Sequence, residues 1–459
     1  MAAHADQVLM NDYGNVIVYG YGRYRTYFKA LLEKLKITNH VFRVGTFKSA
    51  VEPYLREDMS EEAKDANLAY LNVLWGEYIA EVATARGKTP EEIARYANEF
   101  GDILRQSNGN FAQAALDFGL VDKLISRAET NAILVEKFGE SKDKKSFTKV
   151  GLNRYLAAID VDKDGDDPNI AVITAAGAII DGEAPAGQAA GGDSIAALLK
   201  KARKDDDVKA VVLRVDSPGG SAFASDIIRD EIIAIKEAGK PVVASMGSLA
   251  ASGGYWISAP ADEIWASPTT ITGSIGIFGL FQTFENAAAE IGVSTDGVGT
   301  TQLSDVLQTG IGPLSDNLAD IIQQSVEFGY DRFLSIVAEG RDLDKAYVDT
   351  VGQGRVWIGG DAKERKLVDH LGGYDDAIAA AARLAKLEKY DVVEMTDTQT
   401  TFEMLISNFS EAVIQASDRS PSARAGVVQK LIAEVEKQAA FFDEFNDPNA
   451  TYARCLSCE

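Results

Sequence analysis

Between residues 168 and 280 short apolar runs alternate with helix-patterned stretches, and this alternation limits the fold more than any other feature of the chain. Residues 170–180, 210–215 and 241–246 read as strands. Residues 194–204 and 223–238 read as helices, the second closed by Gly239, and a further helix starts over 252–258. Strands separated by helices cannot close as tight hairpins; they cross over and pair in parallel. An α/β fold with a mostly parallel sheet is therefore expected. Residues 315–340 and 402–445 read as amphipathic helices.

A second constraint is internal repetition. Ala5-Asp6-Gln7-Val8 is echoed by Ala261-Asp262-Glu263-Ile264. Each is followed by a glycine-rich stretch, Tyr19-Gly20-Tyr21-Gly22 or Ile275-Gly276-Ile277-Phe278-Gly279. A helix comes next, over 27–35 or 284–291, then a short strand ending in Val44-Gly45-Thr46 or Val298-Gly299-Thr300. Each half closes with Leu-Val-Asp-x-Leu, at 120–124 and 367–371. Five landmarks in one order, at nearly matched spacings, imply a tandem duplication. The second copy has a long lead-in, 168–260, that the first lacks, so the first copy reads as incomplete at its front. The expected division is 1–130 for the C-terminal part of the first repeat, 131–168 for a linker, 169–395 for the complete second repeat, and 396–459 for a helical tail. Within the linker, Asp160, Asp162, Asp164 and Gly165 imitate a calcium loop, but its twelfth position is Ala171 rather than a bidentate Glu, and a solvated connection is the better reading.

The net charge of -23 argues against a nucleic-acid partner, because phosphate binding needs a basic face. The longest apolar stretch, 170–180, is too short to span a bilayer, and the first residues show no signal-peptide pattern, so the chain as written reads as soluble. Gly87-Lys88-Thr89 resembles the end of a P-loop, but Val82 stands where the earlier glycine belongs. Thr89-Pro-Glu-Glu92 reads instead as a helix N-cap, and no nucleotide is expected. Cys455 and Cys458 lack the further ligands that zinc needs and read as a bland tail, a local disulfide being the alternative.

Chemistry is expected at two glycine turns that follow strands, Arg214-Val-Asp-Ser-Pro-Gly-Gly-Ser221 and Met246-Gly-Ser-Leu-Ala-Ala-Ser-Gly-Gly-Tyr-Trp256. Glycines let backbone N–H groups approach a ligand, and a helix start supplies unpaired donors. A serine at such a point has the parts for acyl transfer, although Gly-Gly turns also serve merely to tighten strand–helix connections. The serine needs a base. His4, His40 and His370 are not placed in any motif with a carboxylate partner, which leaves lysine, active only if burial or a neighbouring cation lowers its pKa. The residues alone do not choose among the lysines.

The segments Ser217-Pro-Gly-Gly-Ser221, Ala250-Ala-Ser-Gly-Gly-Tyr-Trp256 and Thr272-Gly-Ser-Ile-Gly276 resemble those of the signal peptide peptidase A family. Phe42-Arg-Val-Gly-Thr-Phe-Lys-Ser-Ala-Val-Glu-Pro53 is similar to the lysine-bearing segment of its long, duplicated form. The resemblance implies a Clp protease/crotonase-like fold and a Ser–Lys dyad peptidase, with Ser252 as nucleophile, Lys48 as base and Ser274 beside the lysine. It implies oxyanion N–H groups from Gly219 and Gly253, with Gly220 a further candidate. It implies no cofactor, apolar remnants of cleaved signal peptides as substrates, a homotetramer, and a place on the periplasmic side of the bacterial inner membrane through an anchor that this chain lacks. The repeat adds that Lys48 follows Thr46 by two residues whereas Gln302 holds that position after Thr300, so one site would combine the lysine of one copy with the serine of the other. A crotonase-type acyl-CoA enzyme would share the fold, but no set of carboxylates and phosphate-binding cations stands out. An inactive oligomeric remnant is the remaining alternative.

Overall fold

Parallel pairing of apolar strands dominates the computed structural model, which describes residues 1–156, 158, 167–185, 187–301, 303–304, 310–396, 445–448, 451–455 and 458. The acidic run at Asp160–Gly165, Gln302 and residues 402–444 of the expected C-terminal helix lie outside the described residues. Sixteen strands are found among the described residues: β1 (Leu9–Met10), β2 (Thr38–Val44), β3 (Lys123–Leu124), β4 (Asn169–Ala176), β5 (Ile179–Ile180), β6 (Ala190–Gly191), β7 (Val208–Ser217), β8 (Gly219–Ser221), β9 (Val242–Ala251), β10 (Glu263–Ala266), β11 (Ile271–Gly273), β12 (Ile277–Thr283), β13 (Val356–Ile358), β14 (His370–Leu371), β15 (Asp391–Glu394) and β16 (Tyr452–Arg454).

The chain divides into two units, one of residues 1–23 with 71–166, the other of residues 24–70 with 167–459. This differs from the division expected from the repeat. Residues 24–70 fall in the unit that holds 167–459, because all of β2 pairs antiparallel with β12, from Thr38 opposite Thr283 to Val44 opposite Ile277. Residues 131–156 are not a free linker: helix Arg127–Phe138, capped by a reciprocal Ser126–Glu129 box, belongs to the first unit.

In the first unit β1 pairs with β3, Leu9 facing Lys123. Asp122 accepts from the Val8 N–H at 2.7 Å and pairs with Arg86. In the second unit β10 pairs with β14 in the same parallel sense, Trp265 facing His370. Asp369 accepts from the Ile264 N–H at 2.7 Å and pairs with Arg341. The two Leu-Val-Asp segments are thus closed by the same register and the same ion pair.

The second unit holds a sheet of eight described strands in the order β13-β11-β9-β7-β4-β15, with β10 beside β9 and β14 beside β10. Its central strands are Val/Ile/Ala-rich because both faces are covered. Side chains alternate across the sheet with period two. Ala171, Ile173, Val211 and Leu213 join one core with Leu199 of α1 (Gly192–Lys204), Ile232 of α2 (Ala222–Glu237), Tyr255 of α3 (Gly253–Ser258) and Phe333 of α4 (Asp316–Arg341). Ile170, Val172, Ala210 and Val212 join another core under Ala377 and Ala381, on a helix spanning Tyr374–Leu384.

A smaller sheet runs β2-β12-β16-β8-β5-β6. The two sheets account for three departures from expectation. The apolar run 170–180 is two strands, because Gly177 at φ +81° turns the chain from the large sheet into the small one. The strand expected over 241–246 continues to Ala251, held by β11. The tail is neither bland nor wholly helical. Tyr452–Arg454 is a strand paired with β8 and β12, and Cys455 and Cys458 form a disulfide. Asp447 anchors this strand, accepting from Ser221 Oγ at 2.6 Å and from the Phe223 N–H at 2.9 Å at the start of α2. The strand expected to end at Val298-Gly299-Thr300 does not form; 293–299 are irregular and exposed.

Phe333 is fully buried and packs on Trp256, ring centres 4.7 Å apart, directly after the second glycine turn. We expect Phe333→Ala to cost about 3–5 kcal/mol and Phe333→Leu distinctly less, read from urea midpoints at unchanged m-value.

Candidate active site

Strand β9 ends at Ala251 and α3 begins at Gly253, leaving Ser252 alone at the corner with φ +55° and ψ -113°. This is a sparsely allowed conformation for a residue with a Cβ, tolerated where the surroundings over-determine it. Here the Ser252 N–H donates to Gly273 O at 2.8 Å, and Ser252 O accepts from Trp256 N–H at 2.8 Å, the first bond of α3. Ser274 follows β11 in a second positive-φ turn, φ +54°, its N–H donating to Arg355 O at 2.7 Å.

Lys48 reaches the same spot from the segment after β2. Its Nζ lies 2.9 Å from Ser252 Oγ, 3.2 Å from Ser274 Oγ and 3.2 Å from Ser274 O. All three residues are buried: 2 % of Lys48, none of Ser252 and 1 % of Ser274 is exposed. Burial alone pushes the Lys48 ammonium from the ordinary 10.5 down to about 7. A neutral amine at hydrogen-bond distance from a serine hydroxyl can take its proton near neutral pH.

The glycine turns meet beside this cluster. A Cβ on Gly219, at φ +90°, would stand 2.4 Å from Gly253 N, and one on Gly253 would stand 3.0 Å from Gly219 Cα. No other residue type fits at that approach. Gly253 opens α3, so its N–H has no intrahelical acceptor. The Gly219 N–H donates to Ser217 Oγ at 3.1 Å. Gly220 sits within the small sheet instead, opposite both Ile179 and Ala453. Strand β16 therefore lies along the edge of β8 beside these glycines; a Cβ on Gly219 would come 2.1 Å from Ala453 O.

The histidines have other surroundings. His40 bonds Thr283 Oγ1 at 2.8 Å, His370 stacks on Trp265, and His4 lies in a short exposed turn. Among the described residues no cluster of His, Cys, Asp and Glu could hold a metal ion. The sequence reading missed residues 353–355, which press on Lys48, and β16. Gly354 was the one visible signal: a Cβ there would stand 2.7 Å from Lys48 N.

Comparison with known proteins identifies the family of the chain. The model of peptidase family S49 matches residues 1–136 and 234–388. A protein named Protease 4 from Salmonella typhi is 43 % identical over 465 aligned residues, covering all of this chain and 73 % of that protein. Protease 4 of Haemophilus influenzae is 42 % identical, with 100 % and 74 % covered, and a chloroplastic serine protease SPPA of Arabidopsis thaliana is 30 % identical over 86 % of this chain and 58 % of its own. Among solved structures, a ClpP1 mutant from Listeria monocytogenes is 15 % identical, with a TM-score of 0.31 over 45 % of this chain and 94 % of its own. The chain belongs to peptidase family S49. It is a serine peptidase with the Clp protease-like α/β fold of that family. No helix among the described residues is long and apolar enough to cross a membrane.

The buried amine sets a pH dependence of stability. Below about 7 folded and unfolded chains both hold the Lys48 proton, and folding bears the whole burial cost. Between about 7 and 10.5 only the unfolded chain binds it, so stability rises with pH across that window. We expect Lys48→Met to be more stable than the parent protein at about pH 6 and that advantage to shrink by about pH 10, measured by urea unfolding of both proteins.

Proposed function

We propose that the chain is an endopeptidase with a Ser–Lys dyad, Ser252 the nucleophile and Lys48 the general base. The observation that carries this is the 2.9 Å approach of Lys48 Nζ to Ser252 Oγ inside a site where burial brings the amine to about 7. Neutral Lys48 accepts the hydroxyl proton as Ser252 Oγ bonds to the scissile carbonyl carbon. The Gly253 N–H, together with the Gly219 N–H once it leaves Ser217 Oγ, receives the developing oxyanion. The Lys48 ammonium then gives its proton to the departing amine, and the acyl-enzyme is hydrolysed by a water that Lys48 deprotonates. Ser274 holds the amine in line through its hydroxyl and carbonyl oxygens. No cofactor takes part.

The substrates are apolar peptides, remnants of cleaved signal peptides foremost; support comes from family resemblance and from a relative in Enterococcus faecium named a putative signal peptide peptidase. The same resemblance supports a homotetramer at the periplasmic face of a bacterial inner membrane. Ser252 is fully buried, and β16 lies along β8 beside the proposed oxyanion glycines. The matched β1/β3 and β10/β14 pairings support a duplication in which one copy contributes the lysine and the other the serine.

We expect Ser252→Ala and Lys48→Ala each to lower kcat/KM by about 10 000-fold or more, and the double variant no further, since the two act as one unit. Lys48→Arg is equally inactive, because a guanidinium keeps its proton. Substantial activity in any of these folded variants, assayed on a chromogenic peptide, overturns the assignment. In the parent enzyme kcat/KM rises with pH through about 7, the Lys48 value. Ser274→Ala lowers turnover by less than loss of either dyad member; unchanged kinetics return Ser274 to a turn residue.

A further inference from the structure

Three residues of one short segment touch both things that Lys48 depends on. Gln353 O accepts from the Phe47 N–H at 2.8 Å, and Gln353 Oε1 accepts from the Thr46 N–H at 3.3 Å. The two amides immediately ahead of Lys48 thus end on a single side chain and its own carbonyl. Gly354 N–H donates to Ile275 O at 2.7 Å, and Arg355 O accepts from the Ser274 N–H at 2.7 Å. One side of the segment holds the lysine's loop and the other holds the serine turn that the lysine's amine meets.

The approach is as close as backbone allows. A Cβ on Gly45, at φ +112°, would stand 2.7 Å from Gln353 C and O, and one on Gly276 would stand 2.9 Å from Gly354 Cα and 3.2 Å from Lys48 Cδ. Gln353 and Gly354 are both left-handed, at φ +54° and +76°. For glutamine that conformation is unfavourable, so something must hold it. Two groups do. Tyr330, on α4 and nearly buried, accepts from the Gln353 N–H at 3.1 Å. Asp349 Oδ1, at the end of the helix spanning Lys345–Val351, accepts from Gln353 Nε2 at 2.5 Å and from Tyr330 Oη at 2.6 Å. Burial and the Asp349 carboxylate raise the Tyr330 pKa, which keeps its hydroxyl protonated and donating.

We propose that Gln353, locked by Tyr330 and Asp349, is a positioning residue that sets the height of Lys48 over Ser252 and Ser274. Its effect runs through Lys48, and the inference rests on the dyad reading above. The geometry separates it from a residue that merely fills space. It carries no contact to Ser252 and is only partly buried, yet both polar ends of its side chain are engaged, one toward the lysine's loop and one toward the Asp349–Tyr330 pair. Loss of that lock leaves the core of the large sheet untouched and frees the loop between β2 and Lys48. A lysine that is no longer held among the two serines spends time nearer water, where its pKa returns toward the ordinary value. Other charges nearby have their own partners: Arg355 lies over the Phe47 ring, 5.1 Å away, Glu52 bonds Ser60, and no ion pair to Lys48 occurs among the described residues.

The test is the pH profile of kcat/KM on a chromogenic peptide for four variants of the full chain, with urea midpoints measured alongside. Gln353→Ala is expected to lose about 10- to 100-fold in kcat, with KM changed far less, and to move the acid limb of the profile to higher pH. Tyr330→Phe shifts the limb the same way by a smaller amount. Gln353→Glu sets a carboxylate against Asp349 and behaves like Gln353→Ala. Adding Asp349→Asn to Gln353→Glu reverses donor and acceptor, restores the bond and brings the profile back toward that of the parent. A Gln353→Ala enzyme with an unmoved acid limb overturns the proposal, even if its activity falls with its stability. Failure of the double variant to recover over Gln353→Glu alone also overturns it, and this comparison, with Tyr330→Phe, decides the matter if Gln353→Ala does not fold. Lys48→Ala separates the two levels of inference: if it is active, the dyad reading fails, whereas an inactive Lys48→Ala beside an unshifted Gln353→Ala profile removes only the role of Gln353.

Discussion

The structure depends on keeping one ammonium group out of water. Among the described residues Lys48 is buried without a carboxylate partner, and its amine meets two hydroxyls and a carbonyl. Removing a charge from solvent in this way is unfavourable, and the protein answers by weakening the charge, not by pairing it. A carboxylate nearby would make the lysine easier to bury and useless as a base. The sheet, the glycine contacts and the turn at 353–355 can all be read as means of holding an amine where it would not otherwise stay.

Three of the nine non-glycine residues at positive φ among the described residues lie around that amine. Ser252, Ser274 and Gln353 all have φ near +55°, and each is flanked by a glycine. Each is fixed by backbone bonds to a strand end or a neighbouring turn, so the cost of the three conformations is met by the well-packed layers behind them. Strand β9 shows how. Its first half pairs with β10 and its second half with β11, which fixes Ala251 on one side and Gly273 on the other before the chain turns at Ser252 and Ser274.

The large sheet was legible in the sequence because its central strands are buried on both faces and therefore read as near-continuous apolar runs, as at Ala210–Leu213. Ser252 was legible as a possible nucleophile from its glycine-rich strand–helix corner. Lys48 was not. Nothing local distinguishes it from a surface lysine, and it was singled out by resemblance with support from the repeat, since its neighbours Ser252, Ser274, Gly276 and Gly354 lie more than two hundred residues along the chain. The end of β4 was misread because an apolar run cannot reveal that Gly177 turns out of the sheet. Strand β16 and Gln353 were invisible for the same reason as Lys48: each takes its meaning from neighbours remote in sequence, and neither carries a pattern of its own.

The separation of Lys48 from Ser252 has a consequence for the life of the chain before it is folded. A peptidase is a polypeptide, and a growing or unfolded copy is itself a potential substrate. In that state Lys48 is in water at an ordinary lysine pKa and almost wholly protonated at neutral pH, while Ser252 is an unassisted alcohol. The two meet only when β2 has paired with β12, a contact of high sequence separation. Distributing the proposed dyad over distant segments thus keeps a chain from acting as a peptidase before it has folded.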